Sequence, residues 1–173
     1  MNSIKPAKSI ILTLSIILAL AYFASCEKDD ICVDGDTPLL VIKFYDAEDT
    51  TMTKEVTGLQ VNGLIIGEDT LDIVANTALD SIQLPLRTTE NNTSFLISQT
   101  LSNPDTTLTN ILTFSYEVQP EFISRACGYV ANYNALEGTA LRGVEADSLW
   151  IQEIEIEIPL VENSNETHVK IFH

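Results

Sequence analysis

The sequence predicts an all-β domain folded as an antiparallel β-sandwich, immunoglobulin-like or transthyretin-like, with a small barrel as the alternative. Three observations lead to this prediction. Apolar and polar residues alternate in about seven to nine short stretches, turn-forming residues separate them about every ten positions, and no long helical period follows the first 25 residues. The predicted domain spans residues 37–173, and a signal-peptide helix is predicted to precede it.

In the first half of this domain, hydrophobic alternation defines each strand. Leu40, Ile42 and Phe44 lie on one face of the first stretch, which predicts a strand with one fully buried face. Pro85 lies inside the fourth stretch and indicates an edge strand or a bulge, because proline cannot donate a ladder hydrogen bond. The predicted strands are residues 37–45, 59–65, 71–74, 81–86 and 93–100.

The second half of the domain predicts a hairpin and a closing pair of strands. The longest alternation, residues 108–118, is expected to turn at Gln119-Pro120, and so short a loop predicts two central antiparallel neighbours. Residues 133–147 have no clear period, which predicts a loop with a helical turn. The predicted strands are residues 108–118, 122–130, 150–158 and 167–172.

The first 25 residues have the features of a secretory signal peptide. Lys5 and Lys8 give a positive start. The apolar run that follows has about fifteen residues, which is too short for a hydrocarbon core that needs about 20. Ala24 and Ser25 are the small residues that a signal peptidase requires. The sequence therefore predicts a cleaved leader, residues 1–25, and not a permanent transmembrane anchor.

A cysteine directly follows the leader, and Phe23-Ala24-Ser25-Cys26 resembles the lipobox of bacterial lipoproteins, although phenylalanine replaces the usual leucine. The resemblance implies cleavage before Cys26 and lipidation of Cys26, with palmitate among the acyl chains. Three chains, each stabilised by about 0.8 kcal/mol per buried methylene, make a strong membrane anchor. The alternative is an ordinary secretory signal whose cysteine joins a disulfide.

Residues 26–36 are predicted to be a lipidated acidic tether. Lys28, Asp29 and Asp30 resemble an export signal that sends lipoproteins of some Gram-negative bacteria to the outer leaflet of the outer membrane. The resemblance implies outer-membrane localisation and favours display at the cell surface over the periplasmic face. The alternative is a solvated spacer, since charged segments repel themselves and stay extended.

Two cysteines remain once Cys26 is lipidated. Cys32 and Cys127 form an even pair in an oxidising compartment, which predicts a disulfide. Such a bond closes a loop of about 95 residues, for which the chain-entropy model gives about 4–5 kcal/mol of stabilisation. The alternative is two buried, unpaired thiols.

The net charge excludes one class of partner. The chain carries a charge of −16, which becomes −18 when Lys5 and Lys8 leave with the leader. Such a surface repels nucleic acid and anionic lipid headgroups, so no nucleic-acid partner is predicted. Membrane attachment is therefore expected through the lipid on Cys26.

No constellation in the sequence predicts catalysis, and no cofactor is expected. The only histidines, His168 and His173, lie in the last six residues, and no recognised nucleophile, metal or phosphate-binding motif occurs. Cys127 lies two positions after Arg125, whose charge could activate a thiol, but a disulfide would remove that thiol. The prediction is a protein that is not an enzyme.

Two acidic groups are candidates for cation binding. Glu153, Glu155 and Glu157 lie on one strand face about 7 Å apart, yet such a row more often protects an edge strand. A group near the tether lacks the alternating ligands and the closing glutamate of an EF-hand loop, so no metal site is predicted. Its members are Asp29, Asp30, Asp34 and Asp36.

Four segments together resemble a family of small Gram-negative outer-membrane lipoproteins of unknown function: CEKDDIC, TPLLVIKFYD, FISRACGY and HVKIFH. The resemblance extends in pieces over nearly the whole mature chain. It implies a lipidated Cys26 and a recurrent Cys32–Cys127 pair, and it implies no activity.

We therefore expect a lipid-anchored, non-catalytic envelope protein that binds or scaffolds an envelope component or an outer-membrane barrel protein. The alternative is a module that captures a ligand, a glycan or a cation, in the loops at one end of the sandwich. Exposed aromatic side chains in residues 129–133 would favour a glycan platform, and their burial would favour core packing.

Overall fold

The computed structural model describes residues 15, 32, 35–65, 70–101, 106–142 and 149–173. The predicted leader, apart from residue 15, and the tether residues Cys26, Lys28, Asp29 and Asp30 lie outside the described residues. Nine strands are present in the described part of the chain. They are β1 (Leu40–Tyr45), β2 (Val56–Leu64), β3 (Leu71–Leu79), β4 (Ser81–Leu84), β5 (Asn92–Thr100), β6 (Thr107–Ser124), β7 (Gly128–Arg142), β8 (Glu153–Ile156) and β9 (Val169–Phe172).

The strands form two sheets that pack on each other, which confirms the predicted β-sandwich. One sheet has the order β4-β1-β9-β8, and the other has the order β3-β2-β5-β6-β7. Neighbouring strands are antiparallel except for β1 and β9, which are parallel in the register Ile42↔Val169. The parallel pair departs from the purely antiparallel sandwich that the sequence predicts. It places the first and last strands side by side in the middle of one sheet.

The core lies between the sheets and consists of the apolar residues of the alternating pattern. Leu40, Ile42 and Phe44 of β1 are completely buried, as predicted. In the facing sheet, Phe95 and Phe114 are buried with their ring centroids 6.4 Å apart. Because burying one such side chain contributes about 1.5–3 kcal/mol, these two faces hold the sheets together.

Both edges of the four-stranded sheet have features that discourage further pairing. β4 is an edge strand, as Pro85 at its end predicts. β8 is the other edge, and Glu153 and Glu155 are exposed on it, while Glu157 forms an ion pair with Lys170. Glu153, Glu155 and Glu157 therefore lie on the solvent-exposed face at the edge of the sheet.

The predicted turn of the long hairpin is wrong. β6 does not end at Gln119-Pro120 but continues to Ser124, and the chain turns at residues 125–127. Proline is tolerated there because β5 pairs with β6 only as far as Ser115, which leaves β6 an edge at Pro120. The hairpin therefore consists of strands of 18 and 15 residues, and β7 lies at the edge of its sheet.

The predicted loop at residues 133–147 is also wrong, because its first ten residues belong to β7, while residues 143–148 lie outside the described residues. A β-bulge at Ala135, whose φ is +52°, hides the alternation. Tyr133 is buried before the bulge and Leu136 is buried after it, so the period of two changes phase. A strand with such a change shows no single period in its sequence.

Two buried polar side chains join segments that are far apart in sequence. Asn110 in β6 accepts hydrogen bonds through Oδ1 from the N–H groups of Trp150 and Ile151, at 3.2 and 3.4 Å. His168, just before β9, accepts one through Nδ1 from the N–H of Val41 at 3.1 Å. Because Nδ1 is the acceptor, the buried imidazole is neutral.

Acidification is expected to destabilise the domain through His168. Burial lowers the pKa of this side chain below its ordinary value of 6.5. Above pH 6.5, neutral His168 makes its full contribution to the free energy of unfolding. Below pH 6.5, the unfolded chain binds a proton at this histidine before the folded chain does. The free energy of unfolding therefore falls with pH until the folded-state pKa is reached. Urea unfolding between about pH 7 and 5.5 measures this loss, at most about 1.4 kcal/mol per pH unit for one histidine.

The H168N protein keeps an acceptor for the N–H of Val41 and removes the titration, so its unfolding should depend less on pH. His173 is the matched comparison, because burial also lowers the pKa of this side chain. The H173N protein therefore shows how much of the decrease in the free energy of unfolding is due to His173. Equal pH dependence in the wild-type and H168N proteins would contradict the role assigned to His168.

Candidate functional site at the disulfide-linked hairpin

The β6–β7 hairpin projects beyond the rest of its sheet. The ladder between β5 and β6 ends at Ser115, whereas β6 and β7 remain paired as far as Ser124↔Gly128. At about 3.3 Å per residue, this projection is roughly 30 Å long. We define the hairpin tip as residues 117–132.

The predicted disulfide is present at the end of the hairpin tip. Cys127 lies in the turn after β6 and is bonded to Cys32, with the two Cα atoms 4.9 Å apart and a sequence separation of 95. Ser124 supports the turn, because its Oγ accepts a hydrogen bond from the N–H of Cys127 at 3.0 Å. The alternative of two unpaired thiols is therefore wrong, and Cys127 has no thiol that Arg125 could activate.

Gly35 is required for the disulfide to fit, a role that the sequence did not reveal. A Cβ atom at this position would lie 3.0 Å from both Cβ and Sγ of Cys127, and closer still to Sγ of Cys32. The contact with Sγ of Cys32 would be shorter than 3.0 Å, a separation that Cβ atoms essentially never show, so the disulfide would have to shift. The chain between Cys32 and the first strand therefore passes directly against the disulfide.

Gly35→Ala is expected to shift the disulfide towards its reduced form. Overpacking costs about 1–3 kcal/mol, so the equilibrium constant for oxidation should fall about tenfold. The oxidised fraction is measured in glutathione buffers by alkylation and mass spectrometry. Gly63→Ala is the control, because a Cβ there meets its nearest atom at 3.4 Å, an ordinary contact. An unchanged oxidised fraction in the G35A protein would contradict the steric role.

The hairpin tip also carries the exposed aromatic side chains of the described residues, Phe122 and Tyr129. They are directly opposite each other across the two strands, with ring centroids 5.2 Å apart in an edge-to-face arrangement. Phe122 is 55% exposed and Tyr129 is 70% exposed. We call these two residues the aromatic pair. Sequence reasoning missed Phe122 because it placed the hairpin turn before this residue.

Residues 129–133 thus divide between surface and core. Tyr133 is completely buried, contacts Tyr116 with ring centroids 5.0 Å apart, and donates a hydrogen bond from its hydroxyl to the carbonyl of Leu86 at 3.0 Å. Burial raises the pKa of Tyr133 to about 12. Of the two tyrosines in this segment, only Tyr129 can therefore contact an external partner.

A shallow polar cleft of about 370 Å³ lies where the chain enters the sandwich. Thr37 accepts a hydrogen bond from the N–H of Ala131 at 3.5 Å, and Ser164 accepts one from the N–H of Leu39 at 2.8 Å. These bonds fasten the entry segment to the hairpin tip and to the loop before β9. The cleft is lined by Asp36, Thr37, Pro38, Glu162, Asn163, Ser164 and Asn165.

The other candidate residues do not come together. His168 bonds to Val41 near the start of β1, whereas His173 bonds to Tyr45 at its end. Within the described ranges, no group of three His, Cys, Asp or Glu side chains could hold a metal ion, and Asp34 lies outside them with Asp29 and Asp30. In the same ranges, no helix has the length and apolarity needed to span a membrane.

Comparison with known proteins gives one positive result. A model of a family of unknown function, DUF6452, matches residues 55–173. The matched region contains FISRACGY and HVKIFH, and it does not contain Cys26 or Cys32. No curated protein and no solved structure matches the chain.

Proposed function

The chain belongs to DUF6452, a family of unknown function, and we propose that it is a lipid-anchored, non-catalytic protein of the outer membrane. Cys26 carries the lipid and the residues up to Cys32 form the tether. Lys28, Asp29 and Asp30 direct the protein to the cell surface. The sandwich binds or scaffolds an envelope component or an outer-membrane barrel protein.

One observation carries the proposal of a membrane-held domain. The disulfide ties Cys32, six positions after Cys26, to Cys127 at the end of the hairpin tip. Six extended residues span at most about 20 Å, so a lipid on Cys26 would keep the Cys127 end of the hairpin tip within about that distance of the bilayer surface. The anchor would therefore act on a defined end of the domain and not on a loose N-terminus.

This attachment leaves the opposite end of the sandwich free for a partner. β1 leads away from the tether, so residues 46–53 and the end of β9 lie at the end of their sheet that is opposite to the proposed anchor. The net charge of −18 on the mature chain keeps most of the domain away from anionic headgroups. These features favour a domain that stands on the membrane through one end.

A ligand-capturing module remains the second candidate, and the exposed aromatic pair is the observation that favours it. Tyrosine and phenylalanine rings can stack on the apolar faces of sugars, and Tyr129 is 70% exposed. Tyr133, the other tyrosine of the glycan platform considered for residues 129–133, is not available to a ligand because it is buried in the core. A glycan would therefore meet two rings at the hairpin tip.

Cys26→Ser is expected to abolish lipidation and outer-membrane localisation. Without the thiol, no diacylglycerol can be attached, so the intact mass should lack the acyl chains and the protein should leave the outer-membrane fraction. Fractionation of native cells and mass spectrometry measure both. The C32S/C127S protein is the control, because it loses the disulfide but keeps Cys26. Wild-type mass and localisation in the C26S protein would contradict the anchor.

Surface display is tested in the same cells. Protease added to intact cells should degrade the wild-type protein if it faces outwards. Protection until the outer membrane is opened would place the domain on the periplasmic side and contradict the role proposed for Lys28, Asp29 and Asp30.

A further inference from the structure

The aromatic pair lies close to the proposed anchor. Phe122 and Tyr129 are opposite each other about two residues before the last pair of the ladder, which corresponds to roughly 7 Å along the strands. Cys127 lies in the turn just beyond that pair, bonded to Cys32. The short chain from Cys32 to Cys26 therefore keeps the pair within reach of the bilayer that holds the lipid.

The exposure of the pair follows from the projection of the hairpin. In the period of two along β6, Phe122 continues the row of buried residues that includes Phe114 and Tyr116. Burial decreases along this row towards the turn, because Val118 is half-buried, Pro120 is exposed and Phe122 is 55% exposed. An apolar surface that begins in the core thus ends in solvent at the membrane-proximal end.

The local charge permits contact with lipid, although the whole domain is strongly acidic. Glu121 and Arg125 are the charged residues of β6 and the turn that lie nearest the pair, and their charges cancel. The carboxylate of Glu121 also accepts a hydrogen bond from Nδ2 of Asn132 at 2.6 Å. The whole hairpin tip also contains Glu117, so its net charge is −1, and most of the negative charge of the domain lies elsewhere.

We propose that Phe122 and Tyr129 insert into the boundary between headgroups and acyl chains of the membrane that carries Cys26. This inference rests on the proposed lipid anchor and adds a second, non-covalent contact to it. The ring of Tyr129 favours this layer because the ring is buried while its hydroxyl remains hydrated, and the apolar ring of Phe122 is buried beside it. Together, the lipid and the two rings would fix the orientation of the sandwich relative to the bilayer.

The test uses the lipidated full-length protein with Tyr129→Trp, reconstituted into vesicles of phosphatidylethanolamine and phosphatidylglycerol. A fraction of the phospholipid is brominated on the acyl carbons nearest the headgroup. The introduced indole should lose about half of its emission, since interfacial residues reach about 5–10 Å into this layer. The wild-type protein gives the background, because its single tryptophan, Trp150, is buried.

Met52→Trp is the matched control, because Met52 is 60% exposed and lies in the loop after β1, away from the tether. Quenching of the Y129W protein alone, persisting at high salt, supports insertion. Flotation with the vesicles but no quenching in either variant overturns insertion while the anchor stands. Failure to float overturns both. If the emission of the Y129W protein changes with purified envelope glycan in the absence of vesicles and is not quenched in the brominated vesicles, lipid insertion is also overturned and glycan capture is favoured.

Discussion

The bond between Cys32 and Cys127 connects two parts of the chain that the sheets alone would leave separate. One is the segment that enters the sandwich, and the other is the end of a hairpin that projects roughly 30 Å past its neighbouring strand. Beyond Ser115, β6 and β7 are paired with each other and not with β5, and the buried side chains of Val130 and Ala131 hold this part of the hairpin to the domain. The disulfide holds the end of this hairpin and so gives the proposed tether a fixed point of attachment.

The rest of the architecture is consistent with this single point of attachment. β1, the strand that follows the proposed tether, lies in the middle of its sheet and is hydrogen-bonded to β4 on one side and to β9 on the other. Hydrogen bonds from Ala131 to Thr37 and from Leu39 to Ser164 hold the entry segment against the hairpin and the loop before β9. A pull on the tether would therefore be distributed over both sheets.

Much of the fold could be predicted from local patterns. The buried face of β1 and the charged face of β8 follow from a period of two, and the edge position of β4 follows from Pro85, which cannot donate a ladder hydrogen bond. Neither inference needs knowledge of distant residues. The turn of the long hairpin could not be found this way. Pro120 would end β6 only if β6 had a paired strand on each side at this position. Because β5 ends opposite Ser115, β6 has one neighbour at Pro120 and the strand continues.

The other differences between the predicted and the observed strands have the same cause, because each depends on residues that are far apart in sequence. The bulge at Ala135 changes the phase of β7, and only its pairing with β6 shows that the strand continues. The parallel β1–β9 pair joins strands from opposite ends of the domain. At the site, the cysteine count predicts the disulfide, but the contact of Gly35 with it and the exposure of Phe122 are properties of the folded chain.

The central claim is that one cysteine carries the lipid while the other two form the bond that positions the hairpin. Tryptic digestion of the non-reduced protein, extracted from its native membrane, tests this directly by mass spectrometry. We expect acylated residues 26–28 as one peptide, and residues 29–43 joined by a disulfide to residues 126–142 as another. A disulfide that includes Cys26, or free thiols at Cys32 and Cys127, would contradict it.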